Sequence, residues 1–266
     1  MPQNRNTAAA WRTIKAGSSG AEWGIAEEVA VEIGFNGEPW TVMMATPADI
    51  ADLALGLAFT EGLIEQAIPD QDMDIRTYPE GVTASITLDP ALLKNGAMRH
   101  RTLDGTTGCG LCGVETLAEA LRRPARPSVK RISISSTAIE TAFSELKKHQ
   151  PLNSATRSVH AAAWCAPDGG VLLVREDVGR HNALDKLIGA LLRAGQIGDD
   201  GFIVMSSRCS FELVAKTART NASLLATISA PTGMALDLAK AVGLELACRG
   251  SENRAVLFGG GDGNDG

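Results

Sequence analysis

The sequence predicts an α/β protein, with a layered sheet domain over residues 128–258 and a smaller α+β subdomain over 21–123. Three observations carry this reading. Beyond Pro124-Ala-Arg-Pro127, a stiff connector, strand-like and helix-like segments alternate, the rhythm of a layered α/β domain with a largely parallel sheet. Before it, apolar runs over 29–35 and 40–44 flank Asn36-Gly37, a hairpin signal because both turn positions need positive φ. The 266 residues, 44% hydrophobic and 21% charged, suffice for one large core or two modest ones, and disorder is not expected in the middle.

Residues 1–20 are polar and small and read as a flexible tail, as does the glycine-rich stretch 259–266. A helix is expected over 47–64, where Leu53, Leu57 and Ile64 share an apolar face. Residues 75–88 read as a second hairpin turning at Glu80-Gly81, and a short helix is expected over 114–122. In the second half, 136–149 is helical, and strands over 159–165 and 171–175 are joined by Pro167-Asp-Gly-Gly170. Residues 182–194 place Leu184, Leu187, Ile188 and Leu191 on one helical face. A strand over 202–206, a helix over 211–220 with Ser210 as N-cap, and a strand over 224–229 follow. Pro231 is expected to open the next helix in its first turn, and strands over 244–248 and 255–258 close the sheet.

The net charge of −6 argues against broad binding of nucleic acid or an anionic membrane, which needs a basic footprint. The five cysteines, at 109, 112, 165, 209 and 248, are odd in number with one close pair, which suits a reducing compartment better than a disulfide framework. No run reaches the roughly 18 apolar residues of a membrane span, and the first twenty hold no signal-peptide core, so a cytoplasmic protein is expected.

Gly108-Cys-Gly-Leu-Cys-Gly113 presents two thiols on a backbone that glycine leaves free. Four readings compete. A structural zinc site wants four ligands, and there is no second Cys-x-x-Cys and no His-x-x-x-His. A dithiol redox pair belongs at a helix start, which Gly110 and Gly113 do not suit. A covalent sulfur carrier needs a low-pKa thiol on a segment able to visit two partners; glycines supply the mobility, and a helix start near Val114 supplies a positive dipole end. A tight turn with incidental thiols is the remaining reading. Cys165, Cys209 and Cys248 lie in or beside apolar strands and read as core packing.

A second constellation, Arg175-Glu-Asp-Val-Gly-Arg-His-Asn-Ala-Leu-Asp-Lys186, leaves a strand and enters a helix. In an α/β sheet that turn lies where ligands bind, with helix amides facing any anion. A solvated turn with internal ion pairs explains the same charges. Further strand-to-helix turns follow at Ser206-Ser-Arg-Cys-Ser-Phe-Glu212 and Ser229-Ala-Pro-Thr-Gly233, and Arg249-Gly-Ser-Glu-Asn-Arg254 joins the last two strands. Small, hydroxyl-bearing and basic turns on one edge suit a phosphate-bearing ligand, although none matches a P-loop or a Gly-x-Gly-x-x-Gly fingerprint.

Taken in order, these motifs resemble the formate dehydrogenase accessory sulfurtransferase family (FdhD), over roughly residues 25–258. The resemblance implies a cytoplasmic sulfur carrier that accepts sulfur from a cysteine desulfurase as a persulfide. It delivers that sulfur to the Mo/W bis-molybdopterin guanine dinucleotide cofactor before the cofactor enters the formate dehydrogenase apoenzyme. Cys109 matches the persulfide-bearing cysteine and Cys112 the auxiliary one. The cofactor-contacting stretch maps to Ala247, Cys248, Arg249, Gly250, Ser251 and Glu252; Ala247 stands where an aromatic is usual, and Cys209 where an aliphatic is. Arg180, His181, Lys186, Arg208 and Arg249 are expected to neutralise the cofactor's pyrophosphates, and GDP is expected to mimic it. A homodimer and a cytidine deaminase-like layered mixed sheet are also implied, but deaminase chemistry is not, because His-x-Glu and Pro-Cys-x-x-Cys are absent. The rival reading is a non-covalent cofactor chaperone whose cysteines only contact metal or partner.

Overall fold

The computed structural model describes residues 10–16, 20–89, 124 and 132–258. Cys109, Cys112, their glycine loop and the helix expected over 114–122 lie outside the described residues.

The chain opens on an antiparallel ribbon, β1 (Trp11–Ala16) paired with β2 (Ala21–Ala26). This corrects the reading of residues 1–20 as a tail throughout. The ribbon is held by tertiary contacts that its own sequence cannot announce. A Cβ on Gly24 would strike the Ala155 carbonyl, and the Arg157 guanidinium lies 5.6 Å from the centre of the Trp23 ring.

Next, β3 (Val29–Phe35) and β4 (Glu38–Ala45) form the expected hairpin, with Asn36 at φ 52° and Gly37 at φ 85°. The second hairpin, β5 (Met73–Tyr78) and β6 (Gly81–Ile86), completes a four-stranded sheet in the order β4-β3-β6-β5, with β3 and β6 parallel. Helix α1 (Ile50–Thr60), shorter at both ends than expected, packs on α4 (Arg180–Arg193) of the second half. Two glycines make the crossing close. A Cβ on Gly56 would strike the Asp185 carbonyl, and one on Gly189 the Asp52 carbonyl. One hydrophobic core therefore runs from Val31, Ile33 and Leu53 through Leu184, Leu187 and Leu191.

The larger sheet runs β12-β11-β10-β9-β7-β8, built from β7 (His160–Cys165), β8 (Val171–Asp177), β9 (Phe202–Met205), β10 (Leu224–Thr227), β11 (Glu245–Arg249) and β12 (Ala255–Phe258). The parallel pairs are β9–β10 and β10–β11; β7 is antiparallel to both neighbours, and β12 to β11. The sheet is therefore mixed, not largely parallel. The reason is loop length: the turns at 166–170 and 250–254 are too short for a parallel crossover.

Strand alternation sends side chains to two layers. Ala161, Ala163 and Cys165 of β7, with Phe202 and Val204 of β9, face α2 (Ser136–Leu146). Ala162, Trp164, Ile203 and Met205 face the opposite core, shared with α4, α5 (Phe211–Thr217) and α6 (Gly233–Val242). A short helix absent from the sequence reading, α3 (Pro151–Thr156), follows α2 after a 3-10 turn at Lys147–His149. Pro231 does not open α6. It bridges to Cys209, while the Thr232 hydroxyl accepts from Ala235 N at 3.3 Å and caps the helix. Ser210 occupies the N-cap position of α5 without a side-chain capping bond. Among the described residues no helix is long and apolar enough to cross a membrane.

Candidate functional site

Strand directions decide where the chemistry-bearing turns sit. Since β7 is antiparallel to both β8 and β9, the carboxyl ends of β8, β9, β10 and β11 all lie on one edge, together with the start of β7. That edge collects His160, the Arg180-His181 turn, Ser206 to Cys209, Ile228 to Pro231, and Arg249. Ligands bind at this edge in open α/β sheets.

A cavity of about 310 Å³ opens there. Ser206, Ile228 and Arg249 line it from the strand ends. Phe143 and Leu146 of α2, Lys147 and Gln150 beyond it, and Asn153 and Ser154 of α3 line it from the other side. The mixture of an apolar wall, two cations and neutral polar groups suits an organic anion.

The stretch 247–252 divides on inspection. Ala247 is buried in the α2-side core, and Cys248 is buried at the end of β11. Arg249 lines the cavity, Gly250 begins the turn to β12, and Ser251 and Glu252 are exposed, Glu252 at φ 54°. Arg208 is exposed on the turn between β9 and α5.

Lys186 leaves the group of ligand-binding candidates. It is fully buried, with Nζ 2.6 Å from Asp177 Oδ2 and donating to the Thr46 carbonyl at 2.9 Å. Asp177 is equally buried and accepts from Thr46 N, Gly179 N and Asn182 Nδ2 at 3.0, 2.8 and 3.0 Å. This network pins the start of α4 to the loop after β4; no ligand reaches it. Asp185, beside Lys186 on α4, accepts through both carboxylate oxygens from Lys216 Nζ of α5 at 2.9 Å.

Arg180 and His181 open α4 beside two residues that the sequence reading did not single out, His160 and Glu212. Burial, then the positive charges of Arg180 and His181, push the His160 imidazole below its ordinary range. His181 Nε2 lies 3.7 Å from Glu212 Oε2. Burial alone would raise the Glu212 carboxyl, but His181 and the local backbone N–H outweigh it and hold it down at about 2. A lone histidine heading the apolar run His160-Ala-Ala-Ala-Trp164 was the available signal for the first; Glu212 was visible only as part of a longer motif.

The depressed Glu212 carboxyl has a pH consequence. Its ordinary value is 4.5, so its contribution to stability is complete above that pH and is lost as pH falls towards about 2. The Glu212→Gln variant should be less stable than the parent at pH 6 by about 2 kcal/mol, and the gap should narrow by pH 3. Denaturant unfolding across that range measures it. A gap that does not change with pH refutes the assignment.

Cys165, Cys209 and Cys248 are free and buried, in keeping with core packing. Among the described residues no group of three or more histidine, cysteine or acidic side chains is placed to hold a metal ion.

Fold and site together define a class: an α/β protein with helices on both faces of a mixed sheet and a cavity at that sheet's carboxyl edge whose lining suits an organic anion. Known proteins then narrow that class. The FdhD/NarQ family matches residues 26–262. A sulfur carrier protein FdhD of Chromobacterium violaceum is 47% identical over 243 residues, covering 88% of each chain. One of Cupriavidus necator is 44% identical over 223 residues, covering 84% of this chain and 77% of its own. The crystal structure of a putative formate dehydrogenase accessory protein from Desulfotalea psychrophila superposes with a TM-score of 0.70 at 22% identity, covering 95% of this chain and 98% of that one. This chain belongs to the FdhD/NarQ family.

Proposed function

We propose that this protein is a sulfur carrier serving formate dehydrogenase, and that Cys109 carries the sulfur. The observation that carries the reading is the family match together with curated relatives named sulfur carrier protein FdhD at 42–47% identity. The cavity at Arg249 supports it, because it offers an organic anion a place to rest while sulfur is delivered.

The Cys109 thiolate attacks the terminal sulfur of a persulfide on a cysteine desulfurase. The donor's S–S bond breaks, its thiolate leaves, and a persulfide forms on Cys109. The cargo is the bis-molybdopterin guanine dinucleotide cofactor of molybdenum or tungsten, bound as substrate and destined for the formate dehydrogenase apoenzyme. The sulfane sulfur takes two electrons from the cofactor's metal as it leaves, and Cys109 returns as a thiolate. Cys112, two residues beyond Leu111's neighbour Gly110, assists on the same loop. Arg249 and Lys147 neutralise a phosphate arm of the cofactor, with Arg180, His181 and Arg208 further along the same edge. The working location is the cytoplasm and the working form a homodimer.

Peptide mass spectrometry after incubation with a cysteine desulfurase and cysteine tests the proposal. The peptide holding Cys109 should gain the mass of one sulfur atom, removable by a thiol reductant. Absence of that adduct under conditions where the desulfurase is itself loaded overturns covalent carriage and leaves a non-covalent cofactor chaperone.

A further inference from the structure

The cavity at Arg249 contains one side chain whose position no structural duty explains. Gln150 is 5% exposed, and its Nε2 is buried with no hydrogen-bond partner among the described residues. An unmet buried donor costs free energy that folding must make up elsewhere. Gln150 also stands at the N-cap of α3, where a polar side chain ordinarily finds employment in capping. That task is taken by another residue. Glu176 reaches across from β8 and accepts from Leu152 N at 2.9 Å and Asn153 N at 2.8 Å. Gln150 lines the cavity with its amide relieved of that task.

Its neighbours divide the ligand's chemistry. Phe143, Leu146 and Ile228 offer an apolar surface, whereas Lys147 and Arg249 offer positive charge. A phosphate presents only acceptors and is served by the cations. A neutral carboxamide presents a donor and an acceptor side by side, matching the edge of a heterocyclic base, which presents the same pair. The volume of about 310 Å³ lies at the small end of ligand pockets, near about 300 Å³, and suits one nucleotide arm and not an entire dinucleotide cofactor.

We propose that Gln150 is the base-reading residue of this cavity, donating from Nε2 to a ring acceptor of a purine nucleotide whose phosphates lie against Lys147 and Arg249. The inference rests on the cavity being the cofactor's nucleotide site. It assigns recognition to the segment between α2 and α3, opposite the 247–252 stretch.

The test is Gln150→Leu, with Arg249→Ala beside it, probed by calorimetric titration with GDP and by thermal melting without ligand. Gln150→Leu should weaken GDP binding roughly ten- to a hundredfold, because a base-edge acceptor then goes unmet in a buried site. In the same variant the ligand-free melting midpoint should hold or rise, since an unpaired buried donor has been replaced by an apolar group of similar size. A residue with a purely structural role would show the reverse, with stability falling and affinity unmoved. If the parent binds GDP, Arg249→Ala weakens it, and Gln150→Leu does not, the base-reading role is wrong and the pocket stands. If the parent binds no GDP, or Arg249→Ala binds as the parent does, the pocket reading fails and Gln150 fails with it. Joint loss of stability and affinity in Gln150→Leu also overturns the proposal, as would a Gln150→Met variant with unchanged affinity.

Discussion

A chain carrying Cys109→Ala is expected to bind GDP as the parent does and to leave formate dehydrogenase inactive. The expectation rests on the state of the other thiols. Sulfur transfer needs a thiolate that a partner can touch. Cys165 is fully buried and Cys209 nearly so, and burial pushes both thiols up to about 12. At neutral pH each is held in its thiol form. Burial raises the Cys248 thiol as well. None of the three can take over, so a complete defect means that Cys112 cannot carry the sulfur alone, and a partial one that it can. Complementation of a strain lacking the endogenous protein, read as formate dehydrogenase activity, measures it. Activity near the parent level in Cys109→Ala removes Cys109 as the carrier. Cys165→Ala should in contrast load sulfur normally.

The second large effect concerns stability. Lys186→Met should destabilise the protein by about 3–5 kcal/mol, because it strands the buried Asp177 carboxylate without its cation. The Thr46 carbonyl also loses its donor. Replacing both charges, as Asp177→Asn with Lys186→Met, should cost less than Lys186→Met alone, since no uncompensated charge remains. Urea unfolding of the parent, both single variants and the double variant gives the comparison. A Lys186→Met protein within about 1 kcal/mol of the parent contradicts the buried pair. Where the variant stays folded at low temperature, its affinity for GDP should match the parent, which separates structural Lys186 from Arg249, the proposed ligand contact.

Much of the fold could be read from local pattern. Asn36-Gly37 dictated its turn because two consecutive positive φ values admit few other residues, and Leu184, Leu187, Ile188 and Leu191 declared the buried face of α4 by spacing alone. What escaped was decided at a distance. The β1–β2 ribbon depends on Ala155 and Arg157, more than a hundred residues on. Strand direction in the large sheet follows from how short two turns are, a property that alternation of elements does not encode. At the site, a run of charges looks the same whether it faces solvent or a buried partner, so Lys186 and Arg180 were indistinguishable by sequence. Gln150 was invisible for the opposite reason: a lone amide before a proline carries no motif, and only burial without a partner marks it.

The network that joins Thr46 to Asp177 and Lys186 also governs the order in which the molecule is assembled. It ties residues 131 and 140 positions apart, and among the described residues α1 packs chiefly on α4. During synthesis the side of α1 that meets α4, around Asp52 and Gly56, therefore has no cover from that helix until the chain has grown past residue 193. Contacts of such separation carry a high loop-closure cost and form late. An apolar side of α1 left open over that interval is a surface at which an incomplete chain would tend to aggregate.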